Sequence, residues 1–316
     1  MAFKVMGMTA GRKDSNSEIL LKEALYACQE LGAEVTFVNL RDYSIEDCTG
    51  CTFCTQGMFM KGENVGCVLK EKDDKDKLMQ ALFDNDAFIF SAPTYDLQVS
   101  ANFTRFMQRS LAYETAFLEK IGAIKAHSRV AGLIATGGST RAWMSQTLEN
   151  MQAAMFTCDF HVVDMQLATR IPAKAHVLTR PDHLERARRL GRNIMASLAK
   201  APEERGWEGD PDMGWCPHCH SNALVLGEPQ WDGIHFKVEC QVCGCGGDLE
   251  KGEDGRWKFV IDPEIGYCRD RTTAEGRGHH LEEIGATEGA FYRDPKNMEL
   301  VEAGIGRYRE MKFKTV

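Results

Sequence analysis

Residues 3–40 read FKVMGMTAGRKDSNSEILLKEALYACQELGAEVTFVNL. The opening FKVMGM is a short apolar run and residues 11–17 form a polar turn. Ile19, Leu20, Ala24, Leu25, Cys28 and Leu31 then recur on one helical face, and Gly32 supplies a stop. Glu34 to Leu40 predicts a second strand, so the stretch is strand, loop, helix, strand. Working outward, the unit repeats. A cysteine-bearing loop over 41–67 precedes a charged helix near 73–83 and a third strand at 87–91, AFIFS. A helix over about 100–119, a strand at 130–135, a helix over about 141–155, a strand at 160–165 and an amphipathic helix over about 181–199 complete the series.

Buried strands alternating with helices predict an α/β fold whose parallel, five-stranded, doubly wound sheet is covered on both faces, because parallel neighbours require crossovers. The expected strand order is the flavodoxin-like 2-1-3-4-5. Residues 1–200 are assigned to this domain. Periodicity stops over 201–214, APEERGWEGDPDMG, which is assigned to a linker. Residues 215–262 carry short alternating stretches and two cysteine knuckles, a small zinc-ribbon-type β module; 263–316 is a tail rich in Gly, charge and His from which no fold follows.

At 316 residues, 43% hydrophobic and 27% charged, the chain has enough apolar content for a large core and a smaller module. A formal net charge of -8 argues against a phosphate-backbone partner, so no nucleic acid is expected. No apolar run is long enough to cross a bilayer, and MAFKVMGMTAG lacks the pattern of a secretory signal, so a cytoplasmic location and no membrane partner are expected. The 12 cysteines fall largely into C-x-x-C groups, which in a reducing compartment are metal ligands or redox groups more often than disulfides.

In a doubly wound sheet, ligands sit beyond the carboxyl ends of the strands. The loop Thr9-Ala10-Gly11-Arg12-Lys13-Asp14-Ser15-Asn16-Ser17 combines hydroxyls and a cation and opens a helix, which suits a phosphate; a simple capping loop is the plainer reading. Ser91-Ala92-Pro93-Thr94-Tyr95 and Thr136-Gly137-Gly138-Ser139 offer close backbone approach, N–H donors and an aromatic wall for a flat ring. Together, TAGRKDSNS, CTGCTFC, SAPTY, VSANFTRFMQRS and ATGGS resemble the NADPH-dependent FMN reductase and iron-sulfur flavoprotein family over about the first 200 residues. The resemblance implies an FMN-dependent oxidoreductase with NAD(P)H as donor and assembly as a dimer or tetramer. It implies Thr9, Arg12, Ser15, Asn16 and Ser17 at the FMN phosphate, and Pro93, Thr94, Tyr95, Thr136, Gly137 and Gly138 along the ribityl chain and ring.

Cys48, Cys51 and Cys54, followed by Cys67, supply the four thiolates of a four-iron four-sulfur (4Fe-4S) cluster; zinc or a metal-free loop are the alternatives. Cys216-x-x-Cys219 and Cys240-x-x-Cys243 have the spacing of a four-thiolate zinc ribbon, with a rubredoxin-like iron site as its rival. Glu228, Asp232, Glu239, Asp248 and Glu250 deny the ribbon a basic stripe, so a structural role is expected. Cys245, His218 and His220 read as supporting or surface neighbours of the knuckles, the alternative being that they serve as ligands. His279 and His280 read as surface residues, the alternative being a proton donor from a tail folded over the flavin. Cys28 and Cys158 read as core, Phe103, Phe106 and Met107 as a buried face, and Lys70 to Lys77 as a solvated helix start.

The expected chemistry passes electrons from a reduced donor through FMN to the cluster, to a redox protein or to a small organic acceptor. A cluster-free flavin or quinone reductase is the alternative enzyme, and a redox-sensing or electron-carrier module whose ribbon contacts a partner is the non-enzyme alternative.

Overall fold

The computed structural model describes residues 2–124, 128–144 and 146–313. Strand β1 (Lys4–Thr9) feeds helix α1 (Asn16–Glu30) and returns to β2 (Glu34–Asn39). The cysteine loop follows, containing α2 (Phe53–Gln56) and one π-helical turn at Gly57–Lys61. Then come α3 (Lys75–Phe83), β3 (Ala87–Tyr95), β4 (Gln98–Val99), α4 (Ala101–Gln108), α5 (Thr115–Lys120), β5 (Arg129–Thr136), α6 (Thr147–Ala153), β6 (Phe160–Ala168) and α7 (Pro181–Leu198).

The sheet order is β2-β1-β3-β5-β6, every neighbour parallel. It is the expected five-strand order. The two-strand hairpin with β4 was not foreseen: it turns through Asp96 and Leu97, both left-handed (φ 48° and 70°), where a two-residue turn of this hand usually announces itself with Asn-Gly or Asp-Gly. One face of the sheet packs on α1 and α7 through Leu20, Leu21, Leu190 and Ile194, and the other on α3, α4 and α6 through Leu78, Phe103, Phe106 and Met151. Cys28, Cys158, Phe103, Phe106 and Met107 are buried as expected.

Two helices expected as continuous are broken. Residues 100–119 divide into α4, a 3₁₀ turn at Ser110–Tyr113, and α5; in the stretch from Arg141, a 3₁₀ turn precedes α6. The expectation for Lys75 is corrected: it is fully buried, its ammonium hydrogen-bonded to the Phe106 carbonyl and, at 3.3 Å, to Ser110 Oγ. Burial pushes this ammonium down to about 7. The unfolded chain therefore binds more protons between about pH 7 and 10.5, and stability rises with pH across that window. The Tm of the natural chain is expected to climb, relative to Lys75→Met, as pH is raised from about 6 to 9; parallel profiles would exclude a titrating Lys75.

The segment 201–214 is pinned rather than loose. Arg205 bonds the Ser128 carbonyl at 2.6 Å, Asp210 pairs with Arg186 and Arg189, and Trp207 stacks on His220 at 4.2 Å. A second, antiparallel sheet follows: β7 (Leu224–Leu226), β8 (Val238–Cys240), β9 (Gly246–Lys251) and β10 (Trp257–Ile261) in the order β10-β9-β8-β7. It docks on the first domain through Phe156, which joins the apolar cluster of Val238, Val242, Phe259 and Ile261, and through Gln152, which donates to the Cys219 carbonyl. The tail forms α8 (Ala274–Arg293) and α9 (Pro295–Glu310), with Arg277 of α8 paired to Asp159 at 2.8 Å. No described helix is long and apolar enough to cross a membrane.

Candidate functional site

A cleft of about 110 Å³ opens at the carboxyl ends of β1, β3, β5 and β6. Arg12, Ser15, Asn16, Ser17, Pro93, Thr94, Tyr95, Thr136, Gly137 and Gly138 all line it. Of the eleven residues the sequence nominated, only Thr9 does not; it is fully buried, and its Oγ1 accepts from the Gly11 N–H at 3.1 Å, so it shapes the loop from beneath.

Ser15 caps α1, its Oγ accepting from Glu18 N at 3.3 Å and lying 3.2 Å from Ser17 Oγ. Gly11 is required by this packing, since a Cβ there would stand 2.4 Å from both hydroxyls. The remaining N–H groups of the first turn face the cleft end of a 15-residue helix, which favours an anion. Arg12 is exposed beside them. Asn16 has a different task from the one expected: its Nδ2 donates to the carbonyls of Ile171 and Ala173 at 2.8 and 2.9 Å, and its Oδ1 accepts from Val177 N at 3.0 Å. It staples the loop after β6 to the phosphate side of the cleft.

That loop, Ile171-Pro172-Ala173-Lys174, is the wall the sequence reading missed. It carries no motif, and only its position after the last strand could have signalled it. Arg170 N bonds the Ser139 carbonyl at 3.0 Å and Ile171 N the Gly137 carbonyl at 3.2 Å, so the two loops move as one. A Cβ on Gly137 would meet Met144 Sδ at 2.6 Å, and one on Gly138 would meet Pro172 at 3.0 Å. On the opposite wall, Thr94 Oγ1 is hydrogen-bonded to Thr147 Oγ1 at 2.8 Å, and Tyr95 is 51% exposed. Cationic and N–H donors at one end, with small residues and one aromatic ring at the other, fit a phosphorylated flat ring.

Cys48, Cys51, Cys54 and Cys67 border one separate cavity of about 130 Å³ together with Arg109. Gly50 (φ 64°) and Thr52 (φ 55°) supply the left-handed turns between the thiols. Among the described residues no three of these thiols lie within 4.8 Å of one another.

In the second module all four knuckle thiols do. Cys216 Sγ is 3.7 Å from Cys243 Sγ and Cys219 Sγ is 3.6 Å from Cys240 Sγ, and all four are buried. A tetrahedral ion with metal–sulfur bonds of about 2.3 Å has ligand edges of about 3.8 Å, so the residues fit a single metal ion. Hydrogen bonds from Cys216, Cys219 and Cys243 draw the Cys240 thiol far down. His218 is held by Asp270 at 2.8 Å beside buried Cys245, which gives the knuckle a supporting layer. His279 pairs with Asp232 at 3.2 Å and His280 with Glu283 at 2.8 Å; neither lines the cleft.

The sequence pattern of the family described as NADPH-dependent FMN reductase matches residues 4–172. A flavone synthase of Aspergillus candidus is 26% identical over 297 residues, covering 89% of this chain and 88% of that protein. An iron-sulfur flavoprotein of Methanocaldococcus jannaschii is 28% identical over 149 residues, 47% of this chain and 69% of its own. The solved structure of a flavone reductase covers 99% of this chain and 99% of its own with a TM-score of 0.74, at 23% identity.

Proposed function

Because the chain belongs to the NADPH-dependent FMN reductase family, it is a flavin-dependent oxidoreductase, and we propose that a reduced nicotinamide is its donor and a flat, conjugated organic molecule its acceptor. The observation that carries this reading is the convergence of four loops on one cleft with an anion site at one end and glycine-lined space at the other. FMN, when bound, takes up two electrons as a hydride and releases them together or singly. Arg12 and the α1 N-terminus hold the phosphate, Gly137 and Gly138 admit the ring edge, and the Asn16 staple keeps the far wall in register. Tyr95 and Lys174 are the cleft groups able to hold a proton for delivery to the acceptor.

Similarity to the flavone synthase runs through both halves of the chain, which supports a flavonoid as the organic partner; a flavone, a ketone conjugated to a carbon–carbon double bond, is the form that would accept the hydride. A second reading, a single-electron relay, is favoured by the cysteine loop. Four thiols around one cavity, too widely spaced for one ion, fit a multi-iron centre with one thiolate per iron. The ribbon takes zinc and serves structure, and the chain works as a homo-oligomer in the cytoplasm.

Anaerobic mixing tests the proposal. NADPH or NADH is expected to bleach the bound flavin, and a flavone added afterwards to restore its colour in a one-to-one ratio. A flavin that no nicotinamide bleaches would contradict the assignment of donor, and one that a flavone leaves bleached would contradict that of acceptor.

A further inference from the structure

The wall of the four-cysteine cavity contains a buried cation that the flavin chemistry does not use. Arg109 ends α4, is 3% exposed, and is anchored on one side only: Nη1 bonds the buried Asp73 carboxylate and, at 3.3 Å, the Glu46 carbonyl. Asp73 is itself fixed by the N–H groups of Glu46 at 2.7 Å and Lys75 at 3.1 Å, so the guanidinium plane is set by the backbone. Its Nε and Nη2 are buried and have no hydrogen-bond partner among the described residues. Leaving such donors unpaired in a protein interior costs free energy, more so for a charged group. They border the same cavity as the four thiols, and Cys67 interacts with Arg109 electrostatically. The Leu69 N–H also points to Cys67 Sγ, at 3.5 Å. A backbone donor and a buried cation therefore both act on one sulfur.

We propose that Arg109 is a positioning residue for an anionic metal–sulfur centre in the cavity, its free guanidinium edge directed at the Cys67 thiolate so as to offset the centre's negative charge and raise its reduction potential. The proposal rests on the four-cysteine loop holding iron and sulfide. Net charge and hydrogen bonds to the ligating sulfurs are the levers by which a protein sets such potentials. Each added electron makes the centre more negative, so a fixed positive charge at its edge favours the reduced form. Asp73 binds through Nη1 and offsets only part of the charge, leaving the Nε and Nη2 edge unpaired. Arg109 thus turns a loop that could merely collect iron into one tuned to accept electrons.

The experiment is an anaerobic potentiometric titration of the full chain, preceded by iron and sulfide analysis. In Arg109→Gln the midpoint potential is expected to fall by at least about 59 mV, a tenfold change in the reduced-to-oxidised ratio at fixed poise. Arg109→Lys should recover most of that loss, because charge rather than shape carries the effect. Since Arg109→Gln strands the Asp73 carboxylate, the double variant Asp73→Asn/Arg109→Gln is measured beside it, with FMN content reporting that the sheet domain is intact. The double variant is expected to show a smaller fall in the same direction. A potential equal to that of the natural chain in both variants would overturn the role of Arg109. A natural chain without iron and sulfide would overturn the cluster reading itself, and the analysis detects this before any variant is made.

Discussion

Stripping the metal from the Cys216, Cys219, Cys240 and Cys243 site, or replacing Cys243 with serine, is expected to unfold the second module while the parallel sheet survives. The core of that module is small: besides the cysteines it contains Val238, Val242, Phe259, Ile261 and the borrowed Phe156. Cores of this size do not stabilise a fold unaided, and a structural four-thiolate metal contributes roughly 10–16 kcal/mol of apparent binding energy in small peptides. The loss should spread into the tail. Arg271 N bonds the Cys243 carbonyl at 2.8 Å, Gly246 N bonds the Gly266 carbonyl at 2.9 Å, and the Asp270 contact to His218 hangs on the same knuckle. Hydrogen exchange with and without a strong chelator checks this. Protection should vanish over about 215–273 and persist in β1, β3 and β5; unchanged protection in the module would show that its fold does not depend on a metal.

Arg12→Ala is expected to weaken FMN binding about tenfold to 150-fold, the equivalent of a charge-assisted hydrogen bond of about 1.5–3 kcal/mol. Riboflavin, which lacks the phosphate, should bind the variant and the natural chain alike. Arg12 is exposed, so its removal should leave the fold unaffected and isolate the phosphate contribution. Equal losses for both flavins would place Arg12 at the ring rather than the phosphate. Flavin fluorescence titration distinguishes the two.

The parts of this molecule legible in the sequence are those governed by period and spacing. Apolar runs alternating with helices announced the parallel sheet, whose flavodoxin-like order was the expected choice, and the two C-x-x-C knuckles announced a site whose thiols the structure brings within 4.8 Å. Ten of the cleft residues were legible because strand-end loops of a doubly wound sheet must converge. The remainder depends on tertiary contacts that leave no local trace. Asn16 looks like a phosphate ligand in sequence but is occupied by a loop 155 residues away. Lys75 sits in a charged run that reads as solvated, yet its side chain lies under α4 against the Phe106 ring, at 3.9 Å. Arg109 is one cation among many until Asp73 and Cys67 are placed beside it. The tail, with glycines scattered through it, hid two helices, of which α8 is anchored by the Arg277 ion pairs and by Leu281 packed on Met58, Phe117 and Leu118.

Titration of the flavin-free chain with FMN, followed by the quenching of flavin fluorescence under anaerobic conditions, tests the role of the cleft most directly. Saturation at one FMN per chain, with riboflavin at least tenfold weaker by the loss of about 1.4 kcal/mol or more of phosphate binding, is the expected result. Failure to bind FMN, or equal affinity for riboflavin, would contradict it.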